Sequence, residues 1–261
     1  MAVPERGVLV DFHVHSVLSP CADLRMGTKS IANRAAEEGI EVLVVSDHNA
    51  TANCPAFSKV LWGAGIRFFP GMEVQSREDV HVLCVFGTIE AALAFQELVW
   101  RALPPARNDP DLLGYQVLID EDDDVLGFEE RLLLAGVDLG ADEIALLAHD
   151  EFDALVIMAH VDRPSLSYTA VFGFVPPGLP CALEVSCRCD LDLYERLRAL
   201  HPTYPFVSSS DAHRVEDIRR SCATLVWLEE LSFEALKGSV LGGRCCPYRF
   251  LEHQQVGGGS P

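Results

Sequence analysis

Histidines and acids recur in this chain at short, definite spacings. They are His13-x-His15 within DFHVH, Asp47–His48 within VVSDHN, Glu73 within FFPGMEV, His160 within VIMAH, and Asp211-x-His213 within FVSSSDAH. Residues two apart on an extended segment point to the same side. His13 and His15 can therefore grip one ion together, and Asp211 with His213 repeats that geometry with a carboxylate able to bridge two ions. Mixed imidazole and carboxylate donors suit Zn, Mn or Fe better than an all-oxygen Mg or Ca site. One such pair is weak, since a lone buried histidine is more often a packed side chain than a ligand. Five coincidences, each directly after an apolar run, predict one shared metal centre.

The runs that must position these residues read as strands at Val8–Phe12, Val42–Val45, Arg67–Phe69, His81–Phe86, Leu155–Met158, Leu183–Val185, Phe206–Ser208 and Thr224–Leu228. Several are continuous in Val, Ile and Leu rather than alternating, the mark of strands buried on both faces of a parallel sheet. Helical patterns lie between them at Ser30–Glu38, Ile89–Leu103 and Leu191–Leu200, ended by Gly39, Pro104–Pro105 and Pro202. Alternating β and α units predict a barrel in which the carboxyl ends of the strands converge on one face. The stretch Pro104–Glu143 breaks the rhythm and reads as an insertion, a hairpin of Gln116–Ile119 and Val125–Phe128 followed by a helix. Its acidic turn Asp120–Asp124 lacks the glycine and terminal glutamate of an EF-hand loop and is expected to be a solvated tip. The expected organisation is a single domain over residues 1–253 with a flexible tail at 254–261.

The order and placement of these motifs make the sequence resemble the polymerase and histidinol phosphatase (PHP) family of metal-dependent phosphoesterases over almost the whole chain. The motifs that carry the resemblance are His13-x-His15, Asp47–His48, His160 and Asp211-x-His213, with Glu73 at the bridging carboxylate. It implies a distorted (β/α)7 barrel and a trinuclear metal centre. His81 opens a strand instead of ending one, so its pattern allows core packing and ligation equally; the resemblance implies a ligand. One position departs from the family, which commonly supplies His or Asp five or six residues after the second histidine, where this chain has Pro20 and Cys21. Asp23 is expected to substitute, because a hard carboxylate suits a hydrolytic site better than an oxidisable thiolate; Cys21 is the alternative.

The expected ligands are thus His13, His15, Asp23, His48, Glu73, His81, His160, Asp211 and His213, around two to three divalent ions. Metal binding lowers the pKa of water towards about 7, so a bridging hydroxide is the expected nucleophile and no serine or cysteine is required. Asp47 is expected to support the site by a hydrogen bond, and His213 to protonate the leaving group if a metal leaves it free. Arg163, three residues beyond His160, is the expected phosphate clamp, a guanidinium being able to bind phosphate with two parallel bonds. Arg25 and Arg188 are secondary candidates, and each reads equally as a surface residue. His149, His201 and His253 are assigned no function.

With 39 acidic against 20 basic residues, the net charge of −19 argues against long nucleic acid. A cluster of cations reverses the field within one cleft, so a small phosphorylated metabolite, a nucleotide or a short oligonucleotide remains the expected partner. No apolar run reaches the roughly 18 residues of a membrane span, and the start lacks a signal-peptide pattern. The expectation is a cytoplasmic protein, with oligomeric state unreadable. Nine cysteines cannot all pair, and reduced thiols are the simpler expectation. Cys187, Cys189, Cys245 and Cys246 read as small apolar fillers. Two other classes are open: an amidohydrolase-like metal hydrolase, disfavoured because no lysine ends a core strand, and a module that binds metal or nucleotide without turnover.

Overall fold

The computed structural model describes residues 6–254; most of the expected tail, GGGSP included, lies outside the described residues. In chain order the elements are β1 (Arg6–Val14), α1 (Thr28–Glu37), β2 (Val42–Val45), α2 (Cys54–Gly63), β3 (Arg67–Gln75), β4 (His81–Val85), α3 (Ile89–Ala102), α4 (Pro110–Leu113), β5 (Val117–Ile119), β6 (Val125–Phe128), α5 (Ala141–Phe152), β7 (Leu155–Met158), α6 (Tyr168–Phe172), β8 (Cys181–Val185), α7 (Leu191–Leu200), β9 (Phe206–Ser208), β10 (Thr224–Leu228), α8 (Phe233–Leu241), β11 (Cys245–Pro247) and α9 (Leu251–Gln254).

Nine strands form one sheet in the order β11-β10-β1-β2-β3-β4-β7-β8-β9. Its edges come together, Cys245 Sγ of β11 reaching the Phe206 carbonyl of β9 at 3.6 Å, so the sheet is a nearly closed barrel. The barrel is less regular than the expected sevenfold β/α alternation. Strands β1, β2 and β3 are parallel, as are β7, β8 and β9, but β4 runs antiparallel to both β3 and β7, and β10 antiparallel to both β1 and β11. The reversal of β4 brings its first residue, His81, opposite Gln75 at the end of β3. A strand start therefore lies where its neighbours finish.

Period-two alternation divides the apolar side chains. Val42 and Val44 of β2, Leu155 and Ile157 of β7, and Ala182 of β8 face the barrel interior, while Leu43, Val45, Val156 and Met158 face the helices. Phe233, Leu236 and Val240 of α8 join the interior cluster, with Phe233 against Phe69 at 5.3 Å between ring centroids. One end of the barrel is thus filled with hydrocarbon, and the polar residues gather at the other.

The insertion differs from expectation in two respects. Helix α5 begins at its far boundary but packs Ile144, Ala145 and Ala148 into the outer cluster beneath β4 and β7, so it belongs to the barrel's own helical layer. The hairpin β5–β6 is a separate two-stranded sheet, and its acidic tip is not merely solvated. Asp123 accepts hydrogen bonds from Thr28 N at 2.6 Å and Thr28 Oγ1 at 2.7 Å. It supplies from a distance the cap that Gly27, at the start of α1, has no side chain to give. Gly114, at φ 99°, lies so close to the Pro20 carbonyl that a Cβ has no room. The insertion therefore rests on the loop after β1.

The expectation that all thiols are reduced is not met, because Cys187 and Cys222 form a disulfide. No local spacing announces a bond between residues 35 apart. Cys189, Cys245 and Cys246 are buried, as expected of small apolar fillers. No helix among the described residues is long and apolar enough to cross a membrane.

Candidate metal centre

The apolar strands end in a cluster of side chains that hydrophobic burial alone would not gather. His13, His15, His48, Glu73, His81, His160 and Asp211 are all buried, and His213 is partly so. His13 Nε2 lies 3.1 Å from His15 Nε2 and 3.3 Å from both Glu73 Oε1 and Asp211 Oδ1. His15 Nε2 lies 3.2 Å from Asp211 Oδ1 and 3.4 Å from Glu73 Oε2. Glu73 also meets His48 Nδ1 at 2.9 Å, His81 Nδ1 at 2.7 Å and His160 Nε2 at 3.3 Å. Three overlapping triads, His13–His15–Glu73, His48–Glu73–His81 and His15–His48–His213, each bring one donor atom per residue within 4.8 Å.

Backbone conformation helps build this convergence. Asn49, His160 and Asp211, each at or just past a strand end, have φ of 48°, 32° and 48°, a left-handed region that costs a non-glycine residue free energy and recurs at functional sites. The turns send successive side chains back over the barrel mouth. Residues Val14 and Ala212, and His48 and Glu73, are joined by isolated bridges that continue the sheet pairing into this region.

The electrostatics are those of a strongly coupled nest. Burial alone would raise the Glu73 carboxyl, but His81, His13 and His48 around it hold it well below the usual carboxylate range. Burial likewise works against Asp211, and His13 and His15 overcome it. Both carboxylates are thus kept ionised among imidazoles. His81 Nε2 and His160 Nδ1 are buried with no hydrogen-bond partner. Such orphaned polar atoms are uncommon in folded proteins. Their chemistry is that of ligands for divalent transition metals, and the donor set fits such ions.

The surrounding residues sort the remaining expectations. Asp47 lies behind the cluster, accepting from Ser16 N, Ser16 Oγ and Ser19 Oγ at 2.7, 2.6 and 2.6 Å. It is buried, and its contacts are with the loop that follows His15. Asp23 is not brought to the cluster: it is partly exposed and paired with Arg25 Nε at 3.1 Å, and Arg25 is in turn paired with Glu216 at 2.8 Å. This corrects both the ligand role expected of Asp23 and the substrate role expected of Arg25, since each is occupied by the other. Cys21, an exposed residue, is the one whose thiol meets His213 and His48. Burial would raise its thiol, but hydrogen bonds with His213 and His48 outweigh that and bring it down to about 7. His213 Nδ1 meets the Asp211 carbonyl at 3.0 Å. His213 is also one corner of the triad with His15 and His48.

A cleft of about 840 Å³ opens beside the cluster, with Asp211 and His213 in its wall. Arg163 lines it and pairs with Asp211 Oδ2 at 2.5 Å; Arg188 lines it too, with Asp162, Asp217 and Arg219, of which sequence reasoning passed over Arg219. The disulfide pair is part of the same wall. His149, on α5, pairs with the neighbouring Asp150, and buried His201 accepts from Val175 N at 3.0 Å, so both are structural. Ser208 bonds Thr224 and Ala223, and Ser210 bonds Asp11 and His13, which makes these two serines part of the scaffold. Two buried acids were missed. Asp11 accepts from Ser210 N, and its carboxyl is pushed up to about 6 by burial. Glu184 contacts His13. The sign of both was an acid inside an apolar run, which must find a partner.

Comparison with known protein families finds a match to the PHP domain over residues 11–175, more than half of the chain. The chain belongs to the PHP domain family. The match contains every expected ligand from His13 to His160, and the fold adds Asp211 and His213 from beyond it. The histidine–carboxylate cluster assembled at the mouth of this PHP domain has the donor set of a divalent-metal site.

Among solved structures the chain is similar to the lesion-specific endonuclease PfuEndoQ from Pyrococcus furiosus, with a TM-score of 0.64 and 22% identity over 91% of this chain and 56% of that one. It is similar to PsfC from Pseudomonas syringae, with a TM-score of 0.58 and 17% identity over 96% and 97% of the two chains. A two-domain protein from Bacteroides vulgatus containing a predicted PHP-like metal-dependent phosphoesterase gives 0.53 and 13% over 92% and 64%. The chain thus spans a little over half the length of the endonuclease, and at these identities the likeness is one of fold. Comparison with curated proteins gave no match.

Proposed function

We propose that this chain hydrolyses phosphate esters of small molecules or short nucleotides, using two or three divalent transition-metal ions. His13, His15, His48, Glu73, His81, His160, Asp211 and His213 would hold them, with Cys21 completing the group around His48 and His213. The observation that carries the proposal is the convergence of two imidazole nitrogens, each within 3.4 Å of the other and of an oxygen of both Glu73 and Asp211, at the wall of a cleft that Arg163 lines. Bound ions would supply Lewis acidity and an activated water at neutral pH.

The chain's own residues do the rest. Arg163, held by Asp211 and still 41% exposed, has guanidinium surface left to meet phosphate oxygens. Arg188 and Arg219 line the same cleft beside Asp162 and Asp217, so that three guanidiniums offset three carboxylates there. Asp47, through Ser19, and Glu184 fix imidazole rings from behind. Local charge in the cleft thus departs from the net charge of −19.

Charge alone does not settle the size of the substrate. One similar fold is endonuclease Q, solved in complex with a 27-mer duplex carrying an abasic lesion at the active site. A nucleic acid with an exposed phosphate is therefore the second reading. The first experiment is metal analysis of protein purified without chelator, with hydrolysis of p-nitrophenyl phosphate, its bis ester and an abasic-site duplex under added Mn, Zn or Fe. Stoichiometric metal with turnover abolished by His15→Ala is the expected result. Protein that holds no metal and cleaves none of the three would sink the proposal.

A further inference from the structure

Strand β8 reads Cys-Ala-Leu-Glu-Val. Cys181, Leu183 and Val185 point to the helices, and Ala182 points to the barrel interior. By the period of two, Glu184 shares the inward face of Ala182. It is 1% exposed, and a buried carboxylate persists only where partners satisfy it. Both its oxygens lie near His13 Nδ1, at 3.2 and 3.3 Å, and Oε2 also accepts from the backbone N–H of His160 at 2.9 Å.

These two contacts reach two different parts of the cluster. His13 is on β1 and His160 follows β7, strands separated in the sheet by β2, β3 and β4. At His13, a carboxylate facing Nδ1 holds a proton there, and in the ligand reading Nε2 is the nitrogen that faces His15, Glu73 and Asp211 and would bind the ion. At His160, the contact pins the N–H of a residue whose φ is 32°. That left-handed backbone turns the imidazole towards Glu73 and needs a fixed anchor.

We infer that Glu184 is a positioning residue that sets the tautomer of His13 and the backbone of His160 together, so that one carboxylate orients two ligands from opposite parts of the barrel mouth. The inference rests on the reading of His13 and His160 as ligands. Carboxylates behind ligating histidines tune metal affinity by about ten- to hundred-fold.

The test is zinc affinity, measured by competition with a chromogenic chelator, for the wild type, His13→Ala and the isosteric Glu184→Gln. The expected result is a ten- to hundred-fold loss in Glu184→Gln while its chelated form melts cooperatively like the chelated wild type. Binding by Glu184→Gln within twofold of wild type, beside a clear loss in His13→Ala, would overturn the role of Glu184 and leave the metal centre standing. Undiminished binding by His13→Ala would instead remove the metal reading and this inference with it. If Glu184→Gln does not fold, ring nitrogen-15 NMR of the zinc-loaded wild type decides: a proton on Nδ1 of His13 is expected, and a proton on Nε2 overturns the assignment.

Discussion

Asp47 reaches His15 only through a hydroxyl: Ser19 Oγ donates to Asp47 Oδ1 at 2.6 Å and lies 3.0 Å from His15 Nδ1. The hydroxyl's single proton is committed to the carboxylate, so the imidazole must be the donor in the second contact. His15 therefore carries its proton on Nδ1 and offers Nε2 to the cluster. The effects of Asp47 on chemistry are indirect. Ser19→Ala is expected to lower metal affinity and turnover about tenfold, while His15→Ala abolishes turnover. Equal loss from the two, with metal retained in both, would contradict this chain of contacts.

Cys21 and Asp23 are separable by spectroscopy. Cobalt-substituted protein is expected to show the sulfur-to-cobalt charge-transfer absorption of a thiolate ligand. The band should survive Asp23→Ala and vanish in Cys21→Ala. Its absence from the wild type would return the position to oxygen ligands.

Arg163 holds Asp211 with one face of its guanidinium and lines the cleft with the rest. Arg163→Met is expected to lower kcat/KM on phosphate esters by about ten- to hundred-fold, the scale of a lost charged hydrogen bond. Arg163→Lys keeps the charge but not the planar fork, and should recover only part. Full recovery would make the residue a point charge and nothing more.

Asp123 fastens the hairpin to α1 through Thr28. Asp123→Ala is expected to cost about 1 kcal/mol, as loss of a helix cap does, with turnover unchanged. Denaturant unfolding and steady-state kinetics on the same variant test both halves. A larger effect on turnover than on stability would give the insertion a part in the chemistry.

The Cys187–Cys222 bond closes a loop that contains Asp211 and His213. Reduction, or Cys187→Ser with Cys222→Ser, is expected to lower stability by about 2–4 kcal/mol. Titrating unfolding with and without reductant measures it. Identical midpoints would mean that the loop is held by its packing.

Much of the centre was legible because its residues sit next to strands whose apolar character is plain. Spacing placed His13, His15, His48, Glu73, His160, Asp211 and His213 at strand ends, and the structure brings them together. Strand direction is not written in a local pattern, so only the reversal of β4 explains why His81, at a strand start, joins the others. Asp23 and Cys21 could not be ranked by ligand chemistry alone, because the pairing of Asp23 with Arg25 and Glu216 is a matter of loop geometry. Glu184 left a sign in its apolar run that was passed over. Asp123 and the disulfide left none, since their partners are far along the chain.

The hairpin presents an exposed apolar strand to solvent. Val125, Leu126 and Phe128 of β6 are 60%, 69% and 56% exposed, and among the described residues β6 pairs only with β5. A short apolar strand with one free edge is a template for pairing between molecules. Mutual repulsion of chains carrying −19 opposes that encounter, and salt screens the repulsion within roughly 8 Å at physiological ionic strength. Colloidal stability is accordingly expected to fall as salt is added, which light scattering over a salt series would show.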